Sequence, residues 1–155
     1  MDNFTLASQQ LNNTLNAQIV NLFQLLNIVY QNHKFKSLIV FNSQNFSLDP
    51  SILTLPLQVM PLLLFNTNSK VCSLRRHLNS NSLVMILATN LKDSVLRLAS
   101  SCLQGVRDIK TLFVFNMDPN RLDTVDNIYK WIWNQQFLQT ILILQPTFQV
   151  YTMHA

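Results

Sequence analysis

Five apolar runs, separated by polar stretches, dominate the pattern along the chain. SLIVFNS (Ser37 to Ser43), PLLLFNT (Pro61 to Thr67), SLVMILATN (Ser82 to Asn90), IKTLFVFNM (Ile109 to Met117) and LQTILILQ (Leu138 to Gln145) each carry apolar residues at consecutive positions. A strand with one wet face alternates apolar and polar side chains. A strand apolar on both faces belongs in a sheet covered on both sides, typically parallel with flanking helices. Each run gives way to Asn, Thr or Gln, residues that leave a strand easily for a turn or cap.

Between the runs the period changes to that of a helix. From Ser8 to His33, the residues Leu11, Leu15, Ile19, Leu22, Leu26 and Val29 recur at spacings of three and four, and Phe23 and Ile28 widen the stripe. His33, Lys34 and Lys36 close this helix with positive charge, and His33 is expected on the solvated surface. After Asn90, LKDSVLRLASSCLQGV puts Leu91, Val95, Leu98, Cys102 and Val106 on one face. Asn90 and Asp93 resemble a capping box with Asp in the usual Glu place. Gly105, the chain's single glycine, falls where a helix end needs positive φ. After Met117, Asp118 suits an N-cap and Pro119 a first helical position. Leu122, Val125, Tyr129, Ile132 and Trp133 form the expected buried stripe of that helix. A short helix near Pro50 to Leu55 is also expected, and Phe148 to His154 reads as an edge strand or the start of a linker. The whole is α/β: one three-layer domain over residues 1–155, with a mostly parallel sheet of about five strands covered by helices and joined by right-handed crossovers.

Composition narrows the function classes. A chain of 155 residues suits a single domain. It is 48% hydrophobic but only 12% charged, against about 25% in ordinary soluble domains, which argues for a well-buried interior. The net charge of +4 comes from scattered residues, with Arg75-Arg76 the only adjacent basic pair, so the basic stripe of a nucleic-acid binder is missing. The most apolar stretch, Ile52 to Phe65, is interrupted by Pro56, Gln58 and Pro61 and falls short of the roughly 20 apolar residues a membrane span needs. No basic start followed by an apolar block marks a secretory leader. Taken literally, the chain would stay in the cytosol.

One glycine rules out a P-loop or GxGxxG turn, where several are needed for the backbone to approach phosphate. Asp93 and Asp118, placed at helix N-termini, would repel an anion there. His33, His77 and His154 lie in separate segments without metal-ligand spacing, and there is no GxSxG elbow. Cys72 and Cys102 form no CxxC or zinc pattern. They read as two buried thiols, Cys102 inert on its apolar helix face, with a disulfide requiring an oxidising compartment. The residues therefore nominate no catalytic group, no cofactor and no metal ligand, and the expectation is a protein that is not an enzyme. An enzymatic alternative would use a polar pocket beyond the strand ends, where Asn42, Thr67, Asn90 and Asn116 converge; the plainer role of such residues is capping. Asn3, Asn12 and Asn45 head glycosylation triplets. With 18 asparagines in the chain, three such triplets are what composition alone gives. Trp131 is the candidate interface residue. It lies two positions from both Tyr129 and Trp133, roughly 200° around the helix from each. If those two face the sheet, it points outward among Asp123, Asn127, Lys130 and Asn134, where exposed tryptophan can mark a binding hot spot.

The stretch IKTLFVFNMDPNRLDTVDNIYKWIWNQQFLQTILILQPTFQVYTMH resembles the amino-terminal region of the divergent insect ionotropic receptors, chemosensory relatives of ionotropic glutamate receptors. That region typically has a strand, an acidic loop and a helix ending near a Cys-Trp pair. An Asn-Val-rich strand and an aromatic strand follow, leading into a Pro-Phe element. Ile132-Trp133 stands in the Cys-Trp place, Thr140 to Leu144 in the strand, and Gln149 to Thr152 in the aromatic strand. Upstream, SLVMILATNLKDSVLRLASSCLQGVRDIKTLFVF is similar to the family's preceding strand, helix and strand. The first half agrees only in layout. Ile132 replaces the expected cysteine, so a disulfide formed there in the family is lost. Gln139 stands where the family has asparagine, and the Pro-Phe element is missing.

The resemblance implies a non-catalytic, extracellular amino-terminal domain of an ionotropic-receptor-like chemosensory protein, at the cell membrane through segments not in this chain. It implies other receptor subunits as partners and a chain cut before the ligand-binding and channel region. The alternative is a soluble cytosolic α/β interaction module without channel function.

Overall fold

A computed structural model of the protein describes residues 22–43, 61–66, 74, 78–79, 81–106, 108–116, 122–145 and 149–154. Asn3, Asn12, Asn45, the short helix near Pro50 to Leu55, Thr67, Cys72, His77 and the Asp118–Pro119 cap lie outside the described residues, as does the first helix before residue 22. The elements run α1 (Leu22–Asn32), β1 (Ser37–Asn42), β2 (Leu62–Asn66), β3 (Ser82–Ala88), α2 (Ser94–Cys102), β4 (Lys110–Asn116), α3 (Leu122–Asn134), β5 (Gln139–Gln145) and β6 (Gln149–His154). Six strands form one sheet in the order β2-β1-β3-β4-β5-β6. The first five are parallel, and β6 returns antiparallel on β5. The α/β class and mostly parallel sheet agree with the hydrophobic pattern, and Gln149–His154 forms an edge strand.

The consecutive apolar residues are explained by two cores. Because successive side chains leave a strand on opposite faces, Leu38, Met85, Leu112 and Ile141 meet α1 at Leu26 and Val29. Their neighbours Ile39, Ile86, Phe113 and Leu142 meet Val95, Leu98 and Cys102 of α2 and Val125, Ile128 and Ile132 of α3. Phe113 is central to the second core. Its ring stands edge-on to Phe137 at 5.3 Å and to Trp131 at 6.1 Å, a geometry favoured by the ring quadrupoles.

Two expectations change here. The apolar run in β2 is not buried on both faces: Leu62, Leu63 and Leu64 are 39%, 42% and 50% exposed. β2 has a neighbour on one side only, and hydrophobicity along a run does not distinguish an edge from a centre. His33, expected on the surface, is only 7% exposed, its ring beside Phe35 at 6.1 Å. Burial lowers its pKa from the ordinary 6.5, and the nearby Lys110 charge lowers it further, so the folded protein favours the neutral imidazole.

Helix ends follow local chemistry. Gly105 adopts φ 87° beyond α2, as its position requires. At the end of α3 the Gln136 N–H donates to the Trp133 carbonyl at 2.9 Å and the Phe137 N–H to the Ile132 carbonyl at 3.3 Å. This is the paired-bond cap that normally places glycine at the left-handed position. Here Gln136 occupies it at φ 63°, and Phe137 and Ile132 supply the accompanying apolar contact. A side chain in that conformation costs about 1–2 kcal/mol, partly offset by the smaller entropy loss on folding relative to glycine. Gln136→Gly is therefore expected to raise unfolding stability by about 1 kcal/mol in urea titration, with an unchanged slope. A loss of stability would contradict this account of the turn.

Candidate functional site

Open α/β sheets bind ligands beyond the carboxyl ends of their strands, where the strand order reverses. In this sheet that point lies between β1 and β3. The gap is closed by the protein's own groups. The Ser43 N–H donates to the Leu87 carbonyl at 3.0 Å, tying the end of β1 to the end of β3. Asp93 then gathers donors from both sides. Its Oδ2 accepts from the Thr89 N–H at 3.1 Å and the Thr89 hydroxyl at 3.0 Å, and its Oδ1 accepts from the Val95 N–H at 3.1 Å. The Ser43 side chain donates as well. Burial pushes the Asp93 carboxyl up, but these hydrogen bonds outweigh it and hold its pKa below the ordinary 3.8.

Asp93 is thus the N-cap of α2, which corrects the sequence-based assignment of that place to Asn90. Asn90 instead builds the turn before the helix: its Oδ1 accepts from the Lys92 N–H at 2.8 Å and its carbonyl from the Asp93 N–H at 3.1 Å. The capping box failed because a short aspartate reaches its own helix's N2 amide more easily than it reaches back across a turn. Of the four residues expected to converge here, Asn90 is consumed by its turn, Thr67 lies outside the described residues, and β4 ends at Asn116. Asn42 ends β1 with its Oδ1 lacking a hydrogen bond among the described residues, an acceptor that is neither a nucleophile nor a base. Among the described residues no three His, Cys, Asp or Glu side chains come together as a metal site.

The two tryptophans exchange the roles expected of them. Trp131 is half-buried against Phe113 and Phe137, the latter ring stacked at 6.3 Å. Trp133 is 57% exposed. The buried stripe of α3 is Val125, Ile128 and Ile132, and at 100° per residue both tryptophans stand about 90–110° from its centre, on opposite sides. Neighbours decide between them. Phe113 and Phe137 offer Trp131 an aromatic seat, while Trp133 leaves the helix end beside the Gln136 turn. Tyr129 flanks the stripe with Tyr151 of β6 edge-on at 5.7 Å; burial, with Tyr151 adding to it, pushes its pKa up to about 12.

Concave surface lies elsewhere. A cleft of about 300 Å³ sits at the amino ends of β4 and β5, lined by Leu78, Asn79, Val106, Asp108, Ile109, Lys110 and Gln139. A second, more open hollow of about 320 Å³ is framed by Trp133, Asn134, Gln136 and Leu138. A shallow groove between α2 and α3 holds Arg97, Ser101, Gln104 and Trp131, bridged at its floor by the hydrogen bond from the Ser100 hydroxyl to Gln135 Oε1, at 2.5 Å.

Cys102 is fully buried at the end of α2 and is disulfide-bonded, which replaces the expected thiol. The chain's one other cysteine, Cys72, lies outside the described residues. The Leu74 N–H donates to the Cys102 carbonyl at 3.0 Å, and the buried Leu74 joins the second core. Nothing in the spacing of two distant cysteines could have revealed this bond. No helix among the described residues is long and apolar enough to cross a membrane. Comparison with protein-family models, curated proteins and solved structures finds no match.

Asp93→Ala is expected to destabilise the fold by about 2 kcal/mol, the upper end for a lost N-cap, in denaturant titration. Because the folded pKa lies below the unfolded one, the Asp93 contribution is complete above the ordinary carboxylate range and is lost as pH falls through it. The wild-type protein should therefore lose more stability on acidification than the alanine variant. For the tryptophans, Trp131→Ala should cost about 2 kcal/mol and Trp133→Ala less than about 0.5 kcal/mol. The Trp131→Phe protein, whose fluorescence comes from Trp133 alone, should emit at longer wavelength than the Trp133→Phe protein.

Proposed function

We propose that this chain is the non-catalytic amino-terminal domain of an ionotropic-receptor-like chemosensory protein, exported and held outside the cell by segments that follow it. The observation that carries the proposal is the buried disulfide at Cys102. Disulfides of this kind form and persist in oxidising compartments and are rare in the cytosol. Joined to the resemblance running from β3 through β6, it favours export over residence in the cytosol as an interaction module. The strand-end site supports a non-catalytic role. Its carboxylate is bound by four donors from its own chain, and the residues around it are caps and turns. On this reading the domain contributes folding and contacts with other receptor subunits, and Asn3, Asn12 and Asn45 are open to glycosylation.

The test uses an antibody raised against the α3 sequence, Leu122–Asn134, on native material. A membrane-bound polypeptide several times longer than 155 residues, shifted by glycosidase and with Cys102 protected from alkylation until reduction, is the expected result. A soluble 17.9 kDa species with two alkylatable thiols would overturn the proposal and leave a cytosolic α/β interaction module.

A further inference from the structure

The groove between α2 and α3 pairs one aromatic wall with a row of hydrogen-bonding side chains. The wall is Trp131, whose ring is held by Phe113 at 6.1 Å and by Phe137, stacked at 6.3 Å. Arg97, Ser101 and Gln104 lie four and three residues apart, so they share one edge of α2 and the turn that ends it. Trp131 and Gln135 lie four apart on the facing edge of α3, tied by the Gln135 N–H to the Trp131 carbonyl at 3.0 Å. The groove holds about 510 Å³, within the range of small-molecule sites.

Its chemistry selects a ligand class. The Ser100 hydroxyl donates to Gln135 Oε1 at 2.5 Å, which fixes that amide and leaves its nitrogen as a donor. The Ser101 hydroxyl and the Gln104 amide can each donate and accept. The described lining contains one cation, Arg97, and no carboxylate. A flat apolar molecule would use Trp131 and ignore the polar edge. A bare anion would use Arg97 and ignore the ring. A sugar ring uses both, because its hydroxyls donate and accept in turn and its axial C–H bonds suit the negative face of an indole. A carboxylate on that ring gives the planar guanidinium of Arg97 a two-point partner.

We propose that the α2–α3 groove is a carbohydrate site for an acidic sugar unit: a uronate ring lies on Trp131, its carboxylate meets Arg97, and its hydroxyls meet Ser101, Gln104 and the Gln135 amide. The site is independent of the receptor reading, since every group in it belongs to α2, α3 and the turns that end them. Core packing sets the Trp131 ring before any ligand arrives, so little ordering is needed on binding. The tryptophan that the sequence nominates for an interface thus has one side in the core and the other in the groove.

The test is an NMR titration of the isotope-labelled, disulfide-intact protein with methyl β-glucuronide, reading the indole N–H signals of both tryptophans. Trp133, 57% exposed and outside the groove, is the internal control. The expected result is a saturable shift of the Trp131 signal while the Trp133 signal stays nearly still. Arg97 and Gln104 are exposed, so their variants leave the core intact. Arg97→Gln should weaken binding about tenfold or more, the loss of a charged hydrogen bond, and Gln104→Ala about threefold. Methyl β-glucoside, the same ring without the carboxylate, should bind about tenfold more weakly than the glucuronide. Acetate at matched ionic strength should leave Trp131 unmoved. The proposal is overturned by the absence of a saturable Trp131 shift, by equal affinity for glucoside and glucuronide, by an acetate shift matching that of the glucuronide, or by unchanged binding in Arg97→Gln.

Discussion

A parallel sheet is kept out of water only from both faces at once. Its strands cannot be joined by tight turns, so every connection must cross over, and each crossover is also the cover for a face. The two cores follow directly. α1 closes one side, α2 and α3 close the other, and the middles of the central strands are apolar at successive positions because neighbouring residues belong to opposite cores. Phe113, facing α3, and Leu112, facing α1, are adjacent in the chain and part of different clusters. The low charge content has the same origin: a chain with this much two-sided sheet has few solvated positions to give to charges.

The same constraint divides the two ends of the sheet. At the carboxyl ends, crossovers must start, and between β1 and β3 the polar residues Ser43, Thr89 and Asp93 satisfy one another. Asp93 ties β1, β3 and α2 together through Ser43, Thr89 and Val95. At the amino ends, the helices have to stop and turn back. The α3 cap, with Gln136 in a conformation glycine would adopt more easily, leaves Trp133 outside. Cys102, disulfide-bonded at the end of α2, also holds Leu74 through the hydrogen bond at its carbonyl.

The sheet was legible in the sequence because its signal is redundant: five runs, each several residues long, all say the same thing. Single positions carry less. Leu62 to Leu64 look like Leu83 to Met85 in composition, and only strand order makes one exposed and the other buried. His33 follows a helix and carries a polar ring, yet Phe35 folds back over it. Trp131 and Trp133 lie at similar angles from the buried stripe, so helical periodicity alone could not choose between them. The missing information was the position of Phe137, which comes after the turn. Asp93 was recognised as a capping residue but given the wrong place, because a cap is set by one backbone dihedral and not by a pattern. The disulfide left no trace in the sequence beyond the presence of two cysteines.

β6 has a mechanical meaning. α1 ends beside the start of β1, so the chain enters the sheet at the amino end of its parallel strands, and β6 turns it around to bring it back to that same end. Tension on the chain beyond His154, directed along the strand axis, pulls β6 parallel to its own length. The register from Gln139 to Leu144 then bears the load in shear, all its backbone hydrogen bonds strained together. The same pull directed across the strand axis would peel β6 off one bond at a time. Six paired residues thus make β6 resistant to a pull along its length.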